Sequence, residues 1–375
     1  MLKYAHDAID STWVSSKGKY LEMSTGLLKE ILKVDNLKLV NNGTSATHLV
    51  VKSMLRYRPS IEEVIVPNNC YVAAWNCIIY ERLKIIPVEA DIETWNFNLD
   101  KLSSILQTKD PQKTAIMIVP NLGNIINTKK LKRENPDFIF IEDNCEGFCG
   151  KYEGDFSGTG CLASSLSFFG NKTITSGEGG AFITNDDSLF EFVNKIQGQG
   201  QTNVRYVHDE LGYNYRMTNI QAAILYGQLK MIDEIVEKKE ELFNFYKKEL
   251  SDLVELGLLD FQKEDPGTKH SNWMFGVKAQ TPCLEIQNFL AKKGIDTRPM
   301  FYDILKHKHL VEEAKGASVS VAKNLQKKCF IIPSFPSITK NERQRVVNGI
   351  KEYFLVNKSL TIGEKSAKNK NEFCP

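Results

Sequence analysis

The chain has 375 residues, 42% of them hydrophobic, with 48 Lys+Arg set against 46 Asp+Glu for a formal net charge of +2. That length accommodates one large domain and a smaller one, and the balanced charge leaves no basic field for non-specific nucleic-acid binding. There is no apolar run of about 18 residues to span a bilayer, and Met1-Leu2-Lys3-Tyr4-Ala5-His6-Asp7 lacks the apolar core of a secretion signal, so a cytoplasmic protein is expected, with no membrane or nucleic-acid partner.

Along the first 190 residues, short apolar runs alternate with helical patterns. Glu63–Pro67, Lys84–Val88, Ala115–Pro120 and Phe138–Asp143 are continuously apolar rather than alternating, which marks parallel strands covered on both faces. Helices over Ala46–Leu55 and Leu102–Gln107 supply the cover. In such a sheet, ligands gather beyond the carboxyl ends of the strands, where Pro67-Asn68-Asn69, Pro120-Asn121, Glu142-Asp143 and Gly170-Asn171-Lys172 fall. From Asn219 a long amphipathic helix is expected, its stripe formed by Leu225, Leu229, Ile232, Val236, Phe243, Tyr246 and Leu250. Beyond Gly257 the pattern turns α+β, with strands near Trp273–Val277 and Phe330–Pro333 and helices near Cys283–Lys293 and Lys340–Phe354. The expected division is a large domain over 1–250, a small one over 251–356, and a polar, lysine-rich tail over 357–375 without structure.

Chemistry concentrates in Ser164–Gly180, where Lys172 follows an apolar strand and precedes Gly177-Glu178-Gly179-Gly180. A lysine fixed at a strand end loses solvation, its pKa falls, and the neutral amine can attack an aldehyde to form a Schiff base. Ser167, five residues earlier, offers a hydroxyl to an anion. Gly43-Thr44-Ser45 opens a helix after the run Leu37–Val40, a place where unpaired N–H groups meet a phosphate, although taken alone it is equally a plain N-cap. Asp143 closes a strand and can hold a pyridinium proton or cap a helix, and Tyr71 can stack on a ring or belong to the core. The eight cysteines form no C-x-x-C pair, and the spacing of Cys145 and Cys149 has no histidine beside it, so free thiols and no metal site are expected.

In order, Gly43-Thr44-Ser45, Pro67–Tyr71, Glu142-Asp143-Asn144-Cys145-Glu146-Gly147, Ser167 with Lys172 and Gly-Glu-Gly-Gly, and Gly212-Tyr213-Asn214-Tyr215-Arg216-Met217 form a recognisable set. Over roughly residues 10–355 the chain resembles the pyridoxal-phosphate-dependent sugar-nucleotide aminotransferases of fold type I. The likeness is closest to the perosamine-synthase-like branch that aminates C4 of nucleotide-linked 4-keto-6-deoxyhexoses. The resemblance implies Lys172 as Schiff-base lysine and general acid/base, Asp143 on the pyridine nitrogen, Tyr71 stacked on the ring, and Thr44, Ser45 and Ser167 on the phosphate. It implies that Asn214 reaches the cofactor of a neighbouring subunit, hence a homodimer with shared sites. Glu146 stands where Gln or His is commoner beside the cofactor's phenolic oxygen, and a carboxylate there is expected to be protonated or turned toward a cation. Lysine at 172 argues against the sugar 3-dehydratase branch, which has histidine at that position.

The reaction implied is transfer of the amino group of L-glutamate, by way of pyridoxamine phosphate, to C4 of a UDP-, dTDP- or GDP-linked keto sugar, giving a 4-amino-4,6-dideoxy sugar such as viosamine or perosamine. Arg216, Arg298 and His208 are the candidates for substrate contacts, each equally placed as a surface or structural residue. Competing readings are amination at C3 and a non-catalytic regulatory protein on the same fold.

Overall fold

The computed structural model describes residues 1–370, with side chains through 356. In chain order the strands are β1 (Asn36–Val40), β2 (Glu63–Pro67), β3 (Lys84–Val88), β4 (Thr114–Ile118), β5 (Ile139–Asp143), β6 (Lys151–Tyr152) and β7 (Asp155–Phe156). They continue as β8 (Ala163–Ser167), β9 (Gly180–Thr184), β10 (Leu259–Phe261), β11 (Thr268–Lys269), β12 (Phe275–Ala279), β13 (Arg298–Pro299) and β14 (Cys329–Ile332). A seven-stranded sheet runs β1-β9-β8-β5-β4-β2-β3. Its neighbours from β3 to β8 are parallel, whereas β9 runs against both β8 and β1. This is the expected α/β class with a mostly parallel sheet.

The continuous apolarity of the strands has its reason in two cores. Val64 and Val66 of β2, with Ala115 and Met117 of β4, pack under Leu49, Val50 and Met54 of the helix Gly43–Tyr57. The intervening Ile65, Ile116 and Ile118 pack on the other face with Leu102 and Leu106 of the helix Leu99–Leu106. Successive side chains point to opposite faces, so a strand with a core on each side is apolar at every position.

The chain divides into two compact units: Met1–Glu237, Lys263–Trp273 and Phe301–Lys323 in the first, and Lys238–Gln262, Met274–Met300 and Asn324 onward in the second. The boundary thus differs from the single cut expected after residue 250. It falls inside the helix Ile232–Glu249, and two later segments return to the first unit: β11 pairs with β6, and Ile304, Leu310, Ala314 and Val319 join the first unit's core. The second unit holds the antiparallel sheet β10-β12-β14-β13, with Phe275, Val277, Phe330 and Ile332 buried against Ile286, Leu290, Val347 and Ile350 of its helices. The single long helix expected from Asn219 is two, Asn219–Leu229 and Ile232–Glu249. The chain turns between them because Met231 N–H bonds to Gln228 O at 2.9 Å, a three-residue closure that tightens the last turn. Of the segment expected to lack structure, 357–375, residues 357–370 continue the backbone of the helix Lys340–Lys370, and the last five lie outside those described. Among the described residues no helix is long and apolar enough to cross a membrane.

Glu89, just past β3, fastens the returning segment 301–323. Its carboxylate accepts from Asn68 Nδ2 at 2.9 Å, Ser318 Oγ at 2.5 Å and Ser320 N–H at 3.0 Å while the residue is 7% exposed. Truncating a buried acceptor strands its donors. Glu89→Ala should lower stability by about 2–4 kcal/mol. Amide exchange should speed up across 301–323 before it does in β4 or β5; uniform acceleration through the sheet would contradict this local anchoring.

Candidate active site

Strands β5 and β8 are parallel neighbours with Glu142 opposite Ser164 and Asp143 opposite Ser165. Their carboxyl ends therefore deliver Asp143, Ser165 and Ser167 to one edge, and the loop after β8 carries Lys172. Asp143 is buried, and its Oδ1 accepts from the Cys145 N–H at 3.2 Å and Ser165 Oγ at 3.3 Å. Ser165 Oγ in turn lies 2.8 Å from Thr47 Oγ1, on the helix that begins at Gly43. A chain of hydroxyls thus fixes the carboxylate in one orientation.

That helix is capped by Asn42, whose side chain accepts the Ser45 N–H at 2.8 Å. A methyl group on Gly43 would stand 2.9 Å from Ser167 Oγ and 3.0 Å from Cys145 Sγ, so the absence of a side chain lets the helix start close over both. Ser45 and Ser167 are buried, and Thr44 is exposed at the helix mouth. Hydroxyls around a helix N-terminus form a cradle for a phosphate.

Burial holds the Lys172 amine below the ordinary lysine range, opposed by the attraction of Glu146, Cys145 and Asp143. Its Nζ stands 3.6 Å from the centroid of the Trp273 ring. Glu146 is also buried, and its Oε2 accepts the Leu122 N–H at 2.8 Å; burial pushes its carboxyl up to about 7, against the pull of Lys172. Beside Lys172, Asn171 Oδ1 and Thr173 Oγ1 are buried without a hydrogen-bond partner among the described residues, polar atoms to which a bound group could bond.

Tyr71 is 57% exposed, its ring 6.3 Å from that of Phe301, and the preceding Cys70 feels the charges of both Asp143 and Glu146. Lys172, Asp143, Glu146, Ser167, Thr44, Ser45 and Tyr71 therefore belong to one neighbourhood. Asn214 and Arg216 border it through Asn41, whose N–H donates to Tyr215 O at 2.8 Å, but their side chains pair with each other, Arg216 Nη2 donating to Asn214 Oδ1 at 3.0 Å. His208 is exposed and donates from Nδ1 to Gln199 O at 2.9 Å, closing its own loop. Arg298 is exposed on β13 of the second unit, its backbone opposite Ile331.

Sequence reasoning missed Trp273, which it took for a strand residue, and His48. The latter lies 2.7 Å from Glu81 Oε1 and 3.0 Å from the Tyr215 hydroxyl, and Tyr215 stacks on Tyr213 at 4.9 Å. This cluster, centred on the buried His48, anchors the segment that carries Asn214. A histidine four residues beyond Thr44 on the inner face of the helix was the available signal.

Glu142 is fully buried, and its carboxyl is pushed up to about 8 by burial, only partly offset by the Gly158 N–H it accepts. Its folded pKa lies above the ordinary 4.5, so between those values the unfolded chain gives up its proton first and folding stability falls as pH rises. Glu142→Gln should remove a loss on the order of a few kcal/mol between pH 5 and pH 8. Urea melts at the two pH values would check it; an undiminished pH slope in the variant would show Glu142 ionised in the fold.

A family model, described as the DegT/DnrJ/EryC1/StrS aminotransferase family, matches residues 1–351. The chain is 35% identical over 357 residues to a GDP-perosamine synthase of Escherichia coli O157:H7, covering 94% of this chain and 95% of that one. It is 33% identical to a GDP-perosamine synthase of Vibrio cholerae, again over 94% and 95% of the two chains. Among solved structures, an aminotransferase from Psychrobacter cryohalolentis superposes with a TM-score of 0.87 at 18% identity, covering 94% of this chain and 96% of that one.

Proposed function

The chain belongs to the DegT/DnrJ/EryC1/StrS aminotransferase family, whose enzymes depend on pyridoxal phosphate, and we propose that it aminates C4 of GDP-4-keto-6-deoxymannose to give GDP-perosamine, with L-glutamate as donor. The observation that carries this reading is the Lys172 amine gathered with Asp143 and Ser167 behind a helix N-terminus, in a chain whose two relatives above are GDP-perosamine synthases.

The residues suit the cofactor. Thr44, Ser45 and Ser167 would hold its phosphate at the start of the helix Gly43–Tyr57, Asp143 would hold a proton at its ring nitrogen, and Tyr71 would cover its face. Glu146, turned to the Leu122 N–H with its carboxyl pushed up to about 7, can in its protonated form donate a hydrogen bond to the phenolic oxygen without facing it as a second negative charge. When bound, pyridoxal phosphate supplies an aldehyde that takes up an amino group and a ring that draws off the electron pair left as the adjacent carbon loses its proton.

The chain's own part is proton handling and orientation. Lys172, its pKa lowered by burial, removes the proton from the donor's Cα and in the second half-reaction returns one to C4 of the sugar. Because the amine approaches from one side, the new C–H bond forms on one face and the C4 configuration follows. Asn214 completes the site of the second subunit of a homodimer, and Arg216, Arg298 and His208 are the candidates for the nucleotide's pyrophosphate.

The deciding experiment is a half-reaction. Holoenzyme converted to its amine form with L-glutamate and freed of donor should regain its aldehyde absorbance on addition of GDP-4-keto-6-deoxymannose, and Lys172→Ala should lower turnover by at least about a thousandfold. Recovery only with a UDP- or dTDP-linked 4-keto sugar would overturn the nucleotide, and recovery only with a 3-keto sugar would overturn C4. Shared sites have their own test: mixing and reassociating inactive Lys172→Ala and Asn214→Ala chains should restore roughly a quarter of wild-type turnover, since half the dimers then carry one intact site. No recovery from mixed dimers would mean that each subunit completes its own site.

A further inference from the structure

We propose that Trp273 is a positioning residue for Lys172, its indole face being where the lysine's ammonium rests whenever the amine is free of the cofactor. This rests on the reading of Lys172 as the reactive amine, and four observations carry it.

The amine stands over the ring, 3.6 Å from its centroid, close enough for the negative face of the indole to attract a cation. The ring is tied to the lysine's own loop, Nε1–H donating to Asn171 O at 2.9 Å, so indole and lysine backbone move together. Trp273 is only 5% exposed, and attraction between a cation and a ring is strongest where water is excluded. The backbone just before it is also set by a sharp turn. Asn272 sits at φ 55°, in the left-handed region that asparagine tolerates better than most residues, and its N–H donates to His270 Nδ1 at 2.8 Å.

Just before this turn, Ser271 Oγ donates to the carbonyl of Glu146 at 2.8 Å, and Ser271 N–H donates to Gly123 O at 2.8 Å. Gly123, at φ 94°, leaves no room for a side chain, since a Cβ would stand 2.0 Å from Ser271 Oγ. The segment ending in Trp273 is thus fastened to the Glu146 loop at one point and to the Lys172 loop at the next. The groups that face the amine are Glu146, Cys145, Asp143 and this ring. The carboxylates have other duties, at the Leu122 N–H and at the Cys145 and Ser165 donors, whereas the indole holds the amine without accepting its proton. The lysine can then swing from the ring to the reacting carbon and back while remaining able to give or take a proton.

The test uses full-length protein freed of cofactor, so the readout is independent of turnover. The pH dependence of reductive methylation at Lys172, followed by peptide mass spectrometry, gives the midpoint for loss of its proton. Removing the ring withdraws stabilisation from the ammonium, so in Trp273→Leu the midpoint should fall by about one pH unit, a tenfold change in the ionisation constant, with Trp273→Phe between. Because Trp273→Leu empties part of a buried site and disturbs packing, tryptophan fluorinated on its six-membered ring is the second probe. It keeps the shape, weakens the negative face and should move the midpoint down in proportion to the number of fluorines. The other three tryptophans are labelled too, so the same fluorination in Trp273→Phe serves as control and should have no effect. A midpoint unmoved by fluorination, or moved equally in Trp273→Phe, would overturn the proposal. Failure of Lys172 to capture pyridoxal phosphate in a borohydride-reducible form would instead overturn the functional reading, since the labelling midpoint reports on the ring whether or not the cofactor binds.

Discussion

The pairing of β5 with β8 is the constraint from which the site follows. Glu142 opposite Ser164 and Asp143 opposite Ser165 bring a carboxylate, a hydroxyl and the root of the lysine loop to one edge of the sheet. Side chains alternate between faces, so a slip of one residue would send Ser165 and Ser167 to the opposite core and leave Asp143 without its hydroxyl donor. The two-sided burial of these strands makes the slip expensive. Ser164, Ser165 and Leu166 are fully buried, and β9 pairs with β8 along its whole length, from Ala163 opposite Thr184 to Ser167 opposite Gly180.

Three buried acidic side chains then lie within five residues of one another, two of them facing the amine and Glu142 on the other face of β5, and the fold distinguishes them by what each is bonded to. Asp143 accepts from a backbone N–H and a hydroxyl, Glu146 accepts one backbone N–H, and Glu142 accepts from Gly158 while its second oxygen has no partner among the described residues. Burial drives the last two toward the neutral form, their carboxyls pushed up to about 7 and about 8. Neighbouring carboxylates are separated into distinct roles in this way by the surroundings of each.

Much of the fold was legible in the sequence because its signals are local. Each expected parallel strand is a run of contiguous apolar residues, and Gly43-Thr44-Ser45 is a helix start by composition alone. Lys172 and Asp143 could be named because they lie within a few residues of a strand end. What escaped notice depends on distant contacts. Trp273 reads as one more aromatic near a strand, and only folding lays it against a loop 102 residues earlier. His48 looks like any helix residue until Glu81 and Tyr215 close on it from 33 and 167 residues away. The break after Leu229 has no glycine or proline at Lys230 or Met231 to announce it, and the division into units is invisible to composition because the chain crosses it more than once.

That repeated crossing bears on the order in which the protein is made. Strands β1 to β9, Asp143 and Lys172 all lie in the N-terminal half of the chain, so a growing polypeptide holds the whole large sheet long before Trp273 leaves the ribosome. Until the segment Lys263–Trp273 arrives, Lys172 lacks the ring that covers its amine, and the Glu146 carbonyl lacks the Ser271 hydroxyl. Without that face the ammonium has no aromatic surface to rest on and no fixed place beside the sheet. The surroundings of this amine are thus completed late in synthesis, when the chain comes back from the first stretch of its second unit and lays a ring against a residue put in place long before.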